Sequence, residues 1–270
     1  MRKSRVLREQ RAGALSSCVK INLNSPGIIE VAGLAGFSAV WVCQEHGASE
    51  WNQIEHYVRA AKAHDVDVIV RVSKGSYSDY VKVFECDAAG IMVPHVTSAK
   101  EAAAIVEMLR FQPLGLRAVD GGSADGGFGF VPMADYLAQS NAEKFIIIQI
   151  ESPEGLEAVE EIAAVEGFDF LLFGPGDFTH RIGKIPGNPE PATISARNRV
   201  EAAVLKSGKR GFAVAAPGTP QELKEKGYGI VNLTSDALTL GNAWTHLVKE
   251  FGAAESLDNT AQTVLAKRAY

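Results

Sequence analysis

An α/β chain closed as a single (β/α)8 barrel is the fold this sequence predicts, and three observations predict it. Short β-rich runs alternate with longer segments of helical period. The runs number eight, and the chain has 270 residues, the length that eight such units need. A doubly wound open sheet would use the same local signals. Polar groups, however, crowd the C-terminal ends of several of the predicted strands, which is where a barrel gathers its chemistry.

The strands fall at 17–23 (SCVKINL), 39–44 (AVWVCQ), 67–72 (DVIVRV), 90–95 (GIMVPH), 145–150, 168–173, 211–216 (GFAVAA) and 228–234 (YGIVNLT). Pro26 fits the first turn of a helix over 26–35, because its missing N–H costs nothing there. Further helices are predicted at 51–63, 79–86, 98–110, 153–165, 191–207, 219–226 and 236–252. Residues 111–135 break the alternation as a glycine-rich insertion, too irregular for a helix and too long for a minimal connection. Arg117, Asp120, Ser123 and Asp125 lie in it, and it is expected either to border the substrate rim or to turn in solvent. Residues 1–16 read as an N-terminal extension, 17–252 as the catalytic barrel, and 253–270 as a C-terminal tail that packs on a neighbouring chain.

At 46% hydrophobic and 22% charged residues the chain can bury a large core. Its net charge of -5, without a long basic run, sets nucleic acid aside as a partner. The basic N-terminus is followed by no signal-type apolar region. No run of about 18 apolar residues offers a membrane span, so a cytoplasmic protein is expected. Cys18, Cys43 and Cys86 show no C-x-x-C spacing, which suggests neither a disulfide framework nor a zinc site.

Two hydrophobic runs end on acids: Phe145–Ile150 on Glu151, and Phe168–Phe173 on Gly174-Pro175-Gly176-Asp177. Carboxylates at adjacent strand ends are oxygen donors suited to one hard divalent cation, with open positions for substrate. The alternative is that each acid caps the helix after it. Gly176 and Asp177 offer backbone N–H groups to an anion at a helix start, unless the GPGD segment is only a turn. Arg71 interrupts a strand and cannot lose its proton, so it needs an oxyanion or an ion pair with Glu45 or Glu151. His46 is placed to exchange protons near neutral pH, and His95 has the same character. Lys20 and Lys74 are the lysines nearest the strand ends, where a Schiff base would form.

Taken together, Glu45-His46-Gly47 after the second strand, Arg71 in the third, IMVPHV at the fourth, Gln149-Ile150-Glu151 with Glu154-Gly155 at the fifth, and GFDFLLFGPGDF at the sixth resemble the HpcH/HpaI aldolase family, the class II pyruvate aldolases. The match runs from about Asn24 to Thr234, and GLRAVDGGSADG resembles the macrophomate synthase-like and sugar-acid branch. The resemblance implies a lyase that cleaves a 4-hydroxy-2-oxo acid reversibly to pyruvate and an aldehyde, with oxaloacetate decarboxylation as a side activity. It implies Mg or Mn, with Co a third candidate, on Glu151 and Asp177. Gly176, Asp177 and Arg71 would bind substrate, Arg71 would stabilise the enolate, and His46 would transfer a proton. It further implies a homo-hexamer with swapped C-terminal helices, and an acid from Glu85 or Asp87 crossing a subunit interface. Many members carry Asp where this chain has Cys43. The alternatives are a citrate-lyase-type enzyme on acyl-CoA, whose phosphates would need basic groups where this rim shows few beyond Arg71, Arg117 and Arg181, and a non-catalytic keto-acid-binding barrel.

Overall fold

The computed structural model describes residues 1–214 and 216–251. Its strands are β1 (Ser16–Ile21), β2 (Ala39–Cys43), β3 (Asp67–Arg71), β4 (Gly90–Val93), β5 (Phe145–Ile150), β6 (Phe170–Phe173), β7 (Arg210–Val214) and β8 (Tyr228–Ser235). They close in chain order, β8 back onto β1, and each neighbouring pair is parallel. The closed barrel is therefore the architecture, and the open-sheet alternative is excluded. The helices are α1 (Arg5–Arg11), α2 (Pro26–Leu34), α3 (Trp51–Ala63), α4 (Tyr77–Glu85), α5 (Ala99–Leu109), α6 (Met133–Glu143), α7 (Pro153–Glu157), α8 (Val159–Ala164), α9 (Pro175–Arg181), α10 (Pro191–Ser207), α11 (Pro220–Glu225) and α12 (Asp236–Glu250).

Alternation along each strand divides the apolar residues into two cores. Val19, Val40, Val68, Ile91 and Ile148 face outward against the helices. Cys18, Trp41, Ile69, Met92, Phe145, Phe170 and Phe212 fill the barrel. There Phe145 meets Phe170 edge-on at 5.5 Å between ring centroids, a favoured aromatic geometry. Gly90 is required beside this stack, because a Cβ on it would stand 2.2 Å from the Phe145 ring.

The segment before β1 seals the N-terminal end of the barrel. Ser4 caps α1 by accepting the Leu7 N–H at 3.0 Å, and Val6 joins the interior core. Asp67, fully buried at the start of β3, accepts from Ser4 Oγ at 2.6 Å and from Val6 N at 2.8 Å and pairs with Arg2. These bonds hold α1 across the opening opposite the catalytic end, so the chemistry has one mouth to use.

Several helical features differ from the sequence reading, among them α1 in the N-terminal extension. The helix expected over 153–165 is two, interrupted at Ala158. Helix α6 emerges from the end of the glycine-rich insertion; its N-cap, Pro132, has no side-chain acceptor to announce a start. Helix α9 begins at Pro175 inside what reads as a turn. The insertion itself is pinned by a buried pair, Arg117 Nη2 to Asp125 Oδ2 at 2.9 Å, to which the Tyr136 hydroxyl also donates at 3.0 Å. Arg117 stacks over the Phe111 ring at 4.7 Å. It therefore faces inward against protein and is withdrawn from the set of rim arginines a CoA phosphate would need. The tail at 253–270, with its expected swapped helix, lies outside the described residues. Among those described, no helix is long and apolar enough to cross a membrane.

Candidate active site

A cavity of about 680 Å³ opens at the C-terminal end of the barrel, between the β1, β2 and β8 side and the β5–β6 side. None of residues 111–135 lines it, so the insertion does not border this space.

Glu151 follows β5 and is buried to 1% exposure. It is not a helix cap: Ser152 holds that position, its hydroxyl accepting the Gly155 N–H at 3.1 Å. Glu151 Oε1 instead accepts the His95 backbone N–H at 2.8 Å, and Oε2 accepts from the Gln149 amide. Gly174 opens the space beside it, since a Cβ there would lie 2.8 Å from Glu151 Cβ and 2.9 Å from Oε2. Asp177 sits in the first turn of α9, whose N-cap, Gly174, supplies no side-chain bond. Asp177 lies close enough for its charge to act on Glu151, and the Glu151 carboxyl is pushed up to about 7, chiefly by burial and further by the Asp177 carboxylate, against the lowering effect of His95. Two neighbouring acids, one held high by burial and by the other's charge, form a donor set that a hard divalent cation fits, since the cation would relieve their repulsion. Among the described residues no cluster of three or more His, Cys, Asp or Glu adds a further ligand, so water and substrate would complete the shell.

Across the cavity, Arg71 ends β3 and is 5% exposed. Register sets Cys43 beside it on β2, and the Cys43 sulfur accepts from Arg71 Nε at 3.2 Å and Nη2 at 3.1 Å, and from the His46 backbone N–H at 3.3 Å. Arg71 Nε also lies 3.1 Å from Glu45 Oε2, and the guanidinium lies over Trp41, 5.2 Å from the ring centroid. Cys43 thus receives the guanidinium as an acid would, and it meets His46 at the backbone, not at the ring.

The two histidines stand differently. His46 is at the rim, its side chain 62% exposed, with Nε2 3.8 Å from Glu45 Oε2. His95 adopts a positive φ of 57°, rare for a side-chain-bearing residue. Its imidazole lies between two acids, with Nε2 2.7 Å from Glu45 Oε1 and Nδ1 2.9 Å from Glu151 Oε1, the latter off the hydrogen-bonding line. Glu45 and His95 therefore tie the Arg71 side of the site to Glu151. Strand parity gives no signal for His95, because the left-handed turn sets its direction.

Of the two lysines, Lys74 is outside the cavity, donating to the His95 carbonyl at 2.9 Å and pairing with Glu101 at 2.6 Å. Lys20 lines the cavity. Of the two acids near the end of α4, Asp87 is buried between Lys62 at 2.6 Å and Lys144 at 2.5 Å. It stands before β4, at the end of the barrel opposite the cavity. Glu85 lines a surface groove with Trp51, Arg59 and Phe128, and burial raises its carboxyl pKa.

A profile of the HpcH/HpaI aldolase/citrate lyase family matches residues 17–243. The 5-keto-4-deoxy-D-glucarate aldolase of Klebsiella pneumoniae is 31% identical over 230 residues, 85% of this chain and 89% of that protein. The 2-dehydro-3,6-dideoxy-6-sulfogluconate aldolase of Pseudomonas putida is 31% identical over 223 residues, 78% of this chain and 83% of that protein. The crystal structure of an HpcH/HpaI aldolase from Desulfitobacterium hafniense superposes with a TM-score of 0.82 at 28% identity, covering 93% of this chain and 96% of that one. With its closed barrel and its polar C-terminal cavity, the chain is a carbon–carbon lyase and belongs to the HpcH/HpaI aldolase/citrate lyase family.

Proposed function

We propose that the protein is a metal-dependent aldolase that reversibly cleaves a 4-hydroxy-2-oxo acid to pyruvate and an aldehyde. The observation that carries this reading is that Asp177 and the Arg71 guanidinium line one cavity, with the buried Glu151 carboxyl close enough to Asp177 to feel its charge. Glu151 and Asp177 would hold a divalent cation, Mg or Mn. When bound, the cation supplies positive charge beside the keto oxygen and so lowers the energy of an enolate.

The chain's own groups supply the rest. The uncapped backbone N–H groups at the start of α9, at Gly176 and Asp177, receive the substrate carboxylate. Arg71, kept from turning by Cys43, Glu45 and Trp41, directs its remaining N–H donors at the keto oxygen where negative charge develops. Preorganisation matters here because a guanidinium already held in place does not have to reorient during the reaction. His46, at the rim, moves the proton at the aldehyde oxygen. The names of the two relatives support a sugar-acid type of substrate. A homo-oligomer, with a hexamer as the expected state, is supported by the exposure of Trp244, Leu247 and Phe251 on and after α12 and of Phe128 in the Glu85 groove.

The test is retro-aldol turnover of a 4-hydroxy-2-oxo acid after chelation and after Mn is restored. Pyruvate release that vanishes on chelation and returns with Mn is the expected result. Metal-independent turnover with a pyruvate adduct trapped by borohydride on Lys20 would replace the metal reading with a Schiff-base one.

A further inference from the structure

Release of pyruvate from an aldol cleavage moves two protons at two places. One leaves the C4 hydroxyl as the aldehyde forms, and His46 serves that end from the rim. The other must arrive at C3, where the broken bond leaves an enolate carbon in place of a methyl group. His46, Arg71 and the two carboxylates leave this second proton without a donor.

Among the described residues, three ionisable side chains line the cavity: Arg71, Asp177 and Lys20. Arg71 keeps its proton at any pH the protein meets, and Asp177 belongs to the proposed metal site. His46 stands out at the rim with a side chain 62% exposed, and Glu45 and His95 are engaged with each other at 2.7 Å. None of these last three lines the space. Lys20 is therefore the lining group that can both give up a proton and regain one.

Strand parity puts it there. Cys18, two residues earlier, fills the barrel interior, so Lys20 points inward one step nearer the mouth. Arg71 follows Ile69 on β3, and Gln149 follows Ile147 on β5, in the same way. The three are the uppermost inward residues of alternate strands, which in a barrel form one layer. Register sets Lys20 beside Trp41, and its Nζ lies 5.1 Å from the centroid of the ring that Arg71 covers at 5.2 Å. Burial first, and the Arg71 charge second, lower the Lys20 pKa against the pull of Cys43, Asp177 and Asp236. A lysine so placed reaches its neutral form more readily than one in water, which suits an amine that must take protons as well as give them.

We propose that Lys20 is a catalytic residue: the acid that protonates C3 of the pyruvate enolate and, in the reverse direction, the base that removes a methyl proton. The inference rests on the aldolase reading and adds the proton step which that reading leaves open. In release, an Nζ–H bond breaks and its proton goes to C3. The electron pair of the C2–C3 double bond becomes the new C–H bond, the enolate oxygen returns to a keto oxygen, and Lys20 is left as a neutral amine that takes a proton back from water. Nitrogen and C2 are never bonded, so no Schiff base forms.

The experiment follows exchange of pyruvate methyl protons with deuterated solvent, on the full chain with Mn. Lys20→Met and Lys20→Gln should each lower kcat for exchange by about a hundredfold or more, the low end of what a positioned acid–base group supplies, with KM for pyruvate changed far less. Lys20→Arg keeps the positive charge but cannot surrender a proton, and it should be as slow as the neutral variants. A lysine serving only by charge or packing would be replaced by arginine and would show itself in KM. Wild-type kcat in both neutral variants overturns the proposal, as does recovery of exchange in Lys20→Arg, a loss confined to KM, or a pyruvate adduct trapped on Lys20 by borohydride. If the wild type exchanges and the neutral variants exchange equally fast, only the Lys20 role falls. A wild type that neither exchanges pyruvate nor cleaves a 4-hydroxy-2-oxo acid removes the aldolase reading and this one with it.

Discussion

The Cys43 sulfur accepts two hydrogen bonds from the Arg71 guanidinium, 3.2 Å from Nε and 3.1 Å from Nη2, although the two residues stand on different strands. Their pairing follows from the β2–β3 register, so sequence separation is irrelevant to it. The sulfur and Glu45 together fix the plane of the guanidinium, and with it the direction of the donors left for a substrate oxygen.

From this fixed plane, Arg71→Lys is predicted to lower both oxaloacetate decarboxylation and pyruvate proton exchange by about a hundredfold or more. One oxyanion donor is worth roughly 3 to 4 kcal/mol, and lysine cannot reproduce the fork. His46→Ala is predicted to damage aldol cleavage far more than decarboxylation, since its proposed role, from the exposed rim, is at the aldehyde oxygen. Rates of both reactions on both variants check the pair of expectations. Equal losses in His46→Ala would remove its selective role.

Removing the Cys43 acceptor leaves Arg71 one ion-pair partner, Glu45, and more freedom. Cys43→Ala is predicted to lower kcat about tenfold, the lower range for a hydrogen bond to a charged group. Cys43→Asp restores an acceptor at the same register position and is predicted to recover most of that loss. A Cys43→Ala enzyme with wild-type kcat would show that Glu45 suffices to hold the guanidinium.

Glu151 would give the proposed metal site a pH dependence. Its folded pKa is raised from 4.5 to about 7 by burial and by Asp177, so its protonated form favours the metal-free fold. That contribution is complete below 4.5 and is lost as pH rises through about 7. A divalent cation must displace this proton, so Mn affinity is predicted to fall about tenfold per pH unit below 7 and to level off above it. The thermal shift given by Mn should accordingly grow from about pH 5 to about pH 8. Glu151→Gln and Asp177→Asn should each weaken Mn binding and abolish activity with the fold intact. Calorimetry giving the same Mn affinity in both variants as in the wild type would place the metal elsewhere.

The parts of the site that could be read from sequence are those set by strand position. Arg71, Glu151 and Asp177 stand at or just after strand ends, where the barrel brings side chains to one rim; Arg71 and Asp177 line one cavity, and Glu151 is buried behind Gln149 and Gly174, which line it too. His95 was recognisable only as a histidine after a strand, because its direction depends on a left-handed φ that no periodicity encodes. Lys20 is legible as a strand lysine, but its place over the Trp41 ring follows from the β1–β2 register. Helices α6 and α9 were missed for a local reason: each begins beside Pro and Gly residues whose commonest use is a turn. The buried Arg117–Asp125 pair likewise turns a glycine-rich stretch inward, which composition alone reads as loop.

Two glycines separate the demands of the fold from those of the site. At Gly90 an added Cβ would stand 2.2 Å from the Phe145 ring, and that ring is packed on Phe170 in the sealed part of the barrel. At Gly174 it would stand 2.8 Å from Glu151 Cβ and 3.0 Å from Gln149 Nε2, at the mouth where Glu151 is held. Overpacking a core costs about 1 to 3 kcal/mol. Gly90→Ala is therefore predicted to lower Tm by roughly 2 to 10 °C, while its Mn affinity, measured below the transition, stays near wild type because the ring stack is a layer beneath the carboxylates. Gly174→Ala is predicted to do the reverse, displacing the Glu151 side chain and weakening Mn binding about tenfold or more with a smaller change in Tm, since Gly174 and Gln149 border the open cavity and not the sealed core. Thermal unfolding and Mn titration of both variants decide the matter. A Gly174→Ala protein that binds Mn as the wild type does would show that the Glu151 carboxylate need not be held where it is.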